Sequence, residues 1–311
     1  MISAMGLGLH EARGLHYGWH MGKRFLLMAG LPWMVLSCPA QSDFFNHEGG
    51  EGWTQLDFIG QSLGSSHAVF EVQAGQYRLS CGAPPEADVG VARVASYRMD
   101  QGYGSFLAVV DVVSWNQALD QSFGLLGRLQ GNPQPGAMSG YSLTYGPYTR
   151  QLAISRLDAE VAVPLASFTV SLPPGDAYRL VFSGEGSALS GAVYNLSAPL
   201  QPMAVLSATD GRFWAGFCGL LGTARVPDGE VKVTFDSYEA GPASPPELGF
   251  SVEAGWFTVQ WPRLTGAWHL ETSPGLEGWR PVRDGGVLDG GSLTFSSHMA
   301  GRQFYRLAAG W

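Results

Sequence analysis

The chain has 311 residues, 45% of them apolar and 14% charged, with 43 glycines and a formal charge of −8. Three of the eighteen Lys+Arg and one of the twenty-six Asp+Glu precede Gln41, so the remainder carries −10 and a single lysine, Lys232. Phosphate backbones demand clustered cations, which excludes nucleic acid as a partner, and the apolar content excludes a disordered chain.

Residues 1–20 hold three of the seven histidines and no apolar periodicity, and read as an extension upstream of a second start at Met21. Residues 21–40, MGKRFLLMAGLPWMVLSCPA, read as an export signal. Lys23 and Arg24 form its basic start, Phe25 to Leu36 an apolar stretch too short to span a bilayer, and Cys38-Pro39-Ala40 a small-residue cleavage site before Gln41. The expected destination is outside the cell or at its surface, with no transmembrane helix left after cleavage. Val35-Leu36-Ser37-Cys38 also resembles a bacterial lipobox, so two processed forms stay open: free secretion from Gln41, or a lipoprotein held through Cys38.

From residue 41 to 240 short β-like runs are broken by Gly, Pro, Asn and Asp. Expected strands are His67–Val72, Gln76–Ser80, Gly90–Arg98, Ser105–Val113, Ser122–Leu129, Tyr141–Tyr145, Gln151–Arg156, Ala166–Leu172, Ala177–Phe182, Leu189–Asn195, Phe213–Leu220 and Val231–Tyr238. A dozen strands in about 200 residues predict an all-β fold, a jelly-roll sandwich of two sheets. Ser105–Val113 is apolar at both parities, as a central strand buried on each face would be, and Asp111 within it needs a partner, for which Arg128 is available. Residues 241–247, GPASPPE, form a linker, and 248–311 have their own strand rhythm, fitting a small second β-sandwich.

The segments DFFN through GWTQLD (43–57), FEVQAGQYRLSC, DGRFWAGFCGLLG (210–222) and VKVTFDSYEA (231–240) resemble exported proteins of the concanavalin A-like lectin/glucanase superfamily, laminin-G-like domains included. Trp261, the run Leu270-Glu-Thr-Ser273, Trp279-Arg-Pro-Val282 and Phe304-Tyr-Arg-Leu307 are similar to a fibronectin type III-like C-terminal module of exported bacterial proteins. The first resemblance implies a glycan or polysaccharide ligand and a structural calcium where the first and last strands meet, with Asp43, Glu48 and Asp236 as candidates. The second implies attachment to the cell envelope.

Retaining glucanases of that fold need two carboxylates on one strand face, about 5–5.5 Å apart. The central strand offers Val109, Asp111 and Val113, a single carboxylate, so hydrolysis is not the expected activity. A dispersed pair, Asp100 with Asp111 or Glu185, is the remaining hydrolytic option. No HExxH or Cys/His cluster suggests zinc. Cys81 and Cys218, both in apolar runs, fit either one disulfide or two buried thiols. Sugar binding needs flat aromatics beside polar groups, and three stretches supply them: Tyr97, Asp100 and Tyr103; Trp115 with Asn116; and Tyr145 with Tyr148. Trp53, Trp214, Trp256, Trp261 and Trp279 read instead as packing residues. The expected role is glycan binding or surface association without catalysis; the alternative is a structural or adhesive envelope protein that binds protein partners.

Overall fold

The computed structural model describes residues 41–45, 52–58, 68–85, 91–131, 134, 136–199, 201–243, 249–253, 256–262, 268–275, 277–282, 287–289, 292–298 and 303–309. The expected signal, Cys38 and Glu48 lie outside them. Among the described residues the N-terminal part has fifteen strands. These are β1 (Gln41–Asp43), β2 (Thr54–Asp57), β3 (Ala68–Gln73), β4 (Gln76–Cys81), β5 (Ala92–Tyr103), β6 (Phe106–Trp115), β7 (Gln121–Leu129) and β8 (Gly140–Gly146). They continue with β9 (Gln151–Asp158), β10 (Val161–Thr169), β11 (Tyr178–Glu185), β12 (Ala188–Asn195), β13 (Pro202–Thr209), β14 (Gly216–Ala224) and β15 (Val231–Gly241).

Two antiparallel sheets stack as a sandwich, the all-β jelly-roll class expected. One runs β13-β12-β11-β6-β15-β4-β3, with β1 added to β15; the other runs β10-β9-β8-β7-β14-β5-β2. Late strands return to the middle: β15 lies between β6 and β4, and β14 between β7 and β5. Period-two alternation explains the packing. On β6, Phe106, Ala108, Val110 and Val112 enter the core between the sheets, while Leu107 and Val109 join Val181, Ala192 and Tyr194 in a buried cluster on the other face. The central strand is buried on both sides, as its composition requires. Further on, β16 (Gly249–Glu253), β17 (Trp256–Pro262), β18 (Trp268–Ser273), β19 (Arg280–Pro281), β20 (Val287–Asp289), β21 (Ser292–His298) and β22 (Phe304–Ala309) form sheets of four and three strands. Val259 and Leu270 form their core, with Phe257, Phe295 and Tyr305 against it.

Asp111 is paired, but not with Arg128. It projects to the outer face of its sheet, where Arg179 stands directly opposite in register. Arg179 Nε donates to Oδ1 at 2.7 Å and Nη2 to Oδ2 at 2.8 Å, and the Ser237 hydroxyl adds 2.9 Å to Oδ2. This bidentate fork supplies what a buried carboxylate needs.

No disulfide joins Cys81 and Cys218; both thiols are free and buried. The reason is geometric. Cys81 stands opposite Val231 in one sheet, whereas Cys218 stands opposite Arg98 in the other. The β14 residue that faces Val231 is Gly222, four residues from Cys218, about 13 Å at a rise of about 3.3 Å per residue, against the 4.4–6.8 Å or so that a bridge allows between Cα atoms. Burial pushes the Cys81 thiol up to about 11 and the Cys218 thiol up to about 12.

Candidate functional site

At one end of the sandwich three connections converge: the β5–β6 turn at Gly104, the β11–β12 turn at Gly186, and the six-residue β13–β14 loop Asp210-Gly-Arg-Phe-Trp-Ala215. Arg128 ties them together. It is fully buried, at a positive-φ position (49°) beside the irregular β7–β14 register. Its Nε donates to Gly104 O at 2.9 Å, and its Nη1 to Gly186 O at 2.7 Å and Phe213 O at 3.0 Å. The guanidinium lies 5.6 Å from the Phe106 ring centroid. Burial lowers its pKa, yet arginine stays protonated far above neutrality, so these are charge-assisted bonds. Gln130 Nε2 extends the lashing, donating to Arg128 O at 2.6 Å and Ala215 O at 2.7 Å. Gly216 is required here, because a Cβ would run into the Leu129 carbonyl.

Asp210 pins the start of the loop. Its Oδ1 accepts the Tyr141 hydroxyl at 2.7 Å and the Arg212 backbone N–H at 2.9 Å, while Oδ2 accepts Arg156 Nη1 at 2.6 Å. Burial raises the Asp210 pKa, but Tyr141, the Arg212 N–H and Arg156 outweigh it and hold the carboxyl below its usual value. The Tyr141 oxygen in turn accepts the Phe213 N–H at 3.1 Å, and the two rings meet edge to face at 5.5 Å. Arg156 Nε also donates to Asp158 Oδ2 at 2.9 Å, and Arg212 Nε lies 3.1 Å from Asp158 Oδ1 as an ion pair without hydrogen-bond alignment.

Among all these anchored residues one large ring is left outside. Trp214 is 63% exposed and leans on Gly211, at whose position a Cβ would already touch the indole. Beside it on the loop stands the exposed Arg212, with half-exposed Asp158 next to that. An indole face held by a backbone fixed from below can stack on the C–H face of a sugar ring, and the flanking guanidinium and carboxylate can exchange hydrogen bonds with hydroxyls.

The aromatic residues singled out from the sequence are not brought together. Tyr97 is fully buried on the outward face of its sheet, in an apolar cluster with Leu56, Leu126 and Leu221. Tyr103 and Tyr145 point into the core; the Tyr103 hydroxyl donates to Ala240 O at 3.3 Å and the Tyr145 oxygen accepts Leu172 N–H at 3.2 Å. Trp115 packs against Phe123, Tyr145 and Tyr178. Tyr103 and Tyr145 are turned into the core, Trp115 is partly buried against it, and Tyr97 is covered by the outer apolar cluster, so the four rings share no open surface. Asp100 is exposed but engaged by Gln41 Nε2 at 2.6 Å and by Arg98. Tyr148 is 70% exposed, in the β8–β9 turn at the opposite end of the sandwich from Trp214. Of the dispersed carboxylates, Asp100 is on β5 with Arg98, Asp111 is held by Arg179 in the other sheet, and Glu185 sits at a hairpin turn.

Of the three calcium candidates, Glu48 lies outside the described residues, and Asp43 and Asp236 are each engaged by donors of the protein itself. Asp43 accepts the Phe45 N–H at 2.7 Å and the Trp53 indole N–H at 2.6 Å, tying the first strand to the core, while Asp236 accepts its neighbour's N–H. Among the described residues no three His, Cys, Asp or Glu converge on a metal position. Trp53 is buried, as expected, but Trp214 and Trp256 are exposed. The signal missed for Trp214 was the Asp-Gly pair at 210–211, a turn former that ends the preceding strand. The strand expected from Phe213 starts at Gly216.

No family model matches the chain, and no curated protein does. Several solved structures are distantly similar. The carbohydrate-binding module CBM66 from Bacillus subtilis is 14% identical with a TM-score of 0.40, covering 60% of this chain and 94% of that one. The basic winged bean lectin with Tn-antigen is 9% identical with a TM-score of 0.44, covering 66% and 99%. The GH43 protein BlXynB from Bacillus licheniformis is 13% identical with a TM-score of 0.43, covering 65% and 39%.

Proposed function

We propose that this chain is an exported, surface-associated glycan-binding protein without catalytic activity, and that the Asp210–Ala215 loop is its recognition element. One observation carries the reading: Trp214 is exposed on a loop whose backbone is fixed by Arg128, Asp210 and Tyr141. A mobile surface tryptophan would lose on binding the freedom that this one has already given up in folding. The supporting chemistry is Arg212, two residues before Trp214, and its ion-pair partner Asp158, a donor and an acceptor for hydroxyls. The signal-like residues 21–40 support export, and the C-terminal sheets would serve attachment to the envelope.

The test is a polysaccharide and glycan array probed with the purified protein. Binding to at least one plant, algal or bacterial polymer, lost when Trp214→Ala is probed, is the expected result. Absence of binding across the array, or binding indifferent to the substitution, would remove the reading.

A further inference from the structure

In the C-terminal unit two tryptophans are placed in opposite ways. Trp279 has the Arg306 guanidinium 4.4 Å from its ring centroid, and Arg306 Nε in turn donates to Glu271 at 2.7 Å, so one face of that indole is covered. Trp256 is 50% exposed. Alternation along β17 sends Phe257 and Val259 toward the core of the unit, which turns Trp256, Thr258 and Gln260 to the outer face of the four-stranded sheet. The register builds that face in rows: Glu253 opposite Trp256, then Ser251, Thr258 and Ser296, then Gly249, Gln260 and Thr294. Rows follow one another at about 7 Å. Ser251, Glu253, Gln260 and Ser296 are exposed, and the Thr258 and Ser296 hydroxyls share a hydrogen bond of 3.0 Å at the surface.

We propose that this face is a second glycan-binding surface, on which a neutral polysaccharide lies with one sugar ring against the Trp256 indole and its hydroxyls over the rows beside it. An indole offers a flat apolar face to the C–H side of a pyranose, and hydroxyl and amide side chains both donate and accept, as sugar hydroxyls do. Glu253 is the one ionised side chain among the residues named, an acceptor for a hydroxyl and a source of repulsion toward an acidic polymer. A protein partner would need an apolar centre larger than one ring. Phe250, 67% exposed, lies on the other face of β16, opposite Val259, away from these polar rows.

Seven residues, 242–248, join the end of β15 to the start of β16, and Gly241 stands opposite Leu107 at the end of the sandwich that carries the Trp214 loop. The linker reaches about 28 Å at full extension, so one polymer can engage both surfaces, each weak by itself and the pair strengthened by avidity. That consequence rests on the Trp214 reading; the Trp256 surface itself does not.

Affinity electrophoresis of the protein purified after expression of the full chain tests the proposal, because it registers the weak binding of a single surface that a washed array loses. Native gels are cast with mixed-linkage β-glucan, xylan or galactomannan. The expected result is retardation of the parent in at least one gel, with affinity about tenfold lower for Trp256→Ala at an unchanged Tm. Trp214→Ala should keep a residual retardation that adding Trp256→Ala removes, and Phe250→Ala should run like the parent. Retardation indifferent to Trp256→Ala, or lowered equally by Phe250→Ala, overturns the proposal and leaves the Trp214 reading standing. Retardation that follows Trp256 and ignores Trp214 supports the proposal and removes that reading instead. A parent that is not retarded in any gel overturns the proposal.

Discussion

Replacing Arg128 by methionine, of similar length but without donors, strips three carbonyls of their partner at once: Gly104, Gly186 and Phe213. Hydrogen bonds from a charged donor contribute about 1.5–3 kcal/mol each, and a buried acceptor left unmet costs about 1–3 kcal/mol. Two effects reduce the sum: the guanidinium no longer has to be desolvated, and these turns lie at the end of the sandwich where water can enter. The net cost should be about 3–5 kcal/mol, in line with breaking other buried charged contacts. For a domain of this size each kcal/mol shifts Tm by about 2–4 °C, so calorimetry should show a fall of roughly 10 °C. Acrylamide should also quench tryptophan fluorescence more strongly in the variant, since Phe213 O, one residue from Trp214, is released. A Tm within 2 °C of the parent would refute the clamp.

Four other expectations follow from the same contacts. Asp210 has its pKa lowered in the folded state, so its stabilising contribution is present above the ordinary carboxylate value of 3.8 and is lost as pH falls through the lower folded value; Asp210→Asn should flatten that part of the acid-unfolding profile and lower stability at neutral pH, where the contribution is present. Asp111→Ala leaves the partly exposed Arg179 without its carboxylate and should cost about 1.5–3 kcal/mol in urea unfolding, with part of the cost relieved when Arg179→Met is added. Cys81 and Cys218 should resist a thiol reagent at pH 8 in the folded protein, react in denaturant, and leave Tm unchanged by reductant; a drop of several degrees on reduction would contradict free thiols. Arg93, buried at the opposite end with its Nε on Gly229 O and its Nη2 on Val226 O and Pro227 O, should behave as Arg128 does when replaced by methionine.

What the sequence made legible was whatever alternation controls. The twelve runs from His67 to Tyr238 are strands within a few residues, apart from Ala166–Leu172, where the strand opens at Val161, and β6 is buried on both faces because both of its parities are apolar. β13 went unread because Met203, Val205 and Leu206 show no polar alternation from which a strand with one wet face could be recognised. The site was less legible for a related reason. Tyr97, Tyr103 and Tyr145 sit beside polar neighbours in sequence, but strand parity sends the ring one way and the neighbour the other. Trp214 reads as the first apolar residue of the run WAGFCGLL, and its exposure depends on Arg128, 86 residues earlier, whose contacts are with carbonyls that no side-chain pattern reveals.

Calorimetric titration with the glycan that the array selects, comparing the parent with Trp214→Ala and Tyr148→Ala, tests the central claim most directly. Losing a stacked, buried indole should weaken affinity at least tenfold, with Tm unchanged because the ring is outside the core, while Tyr148→Ala at the far end should bind like the parent. Equal affinities for the parent and Trp214→Ala, or a loss confined to Tyr148→Ala, would contradict the assignment of recognition to the Asp210–Ala215 loop.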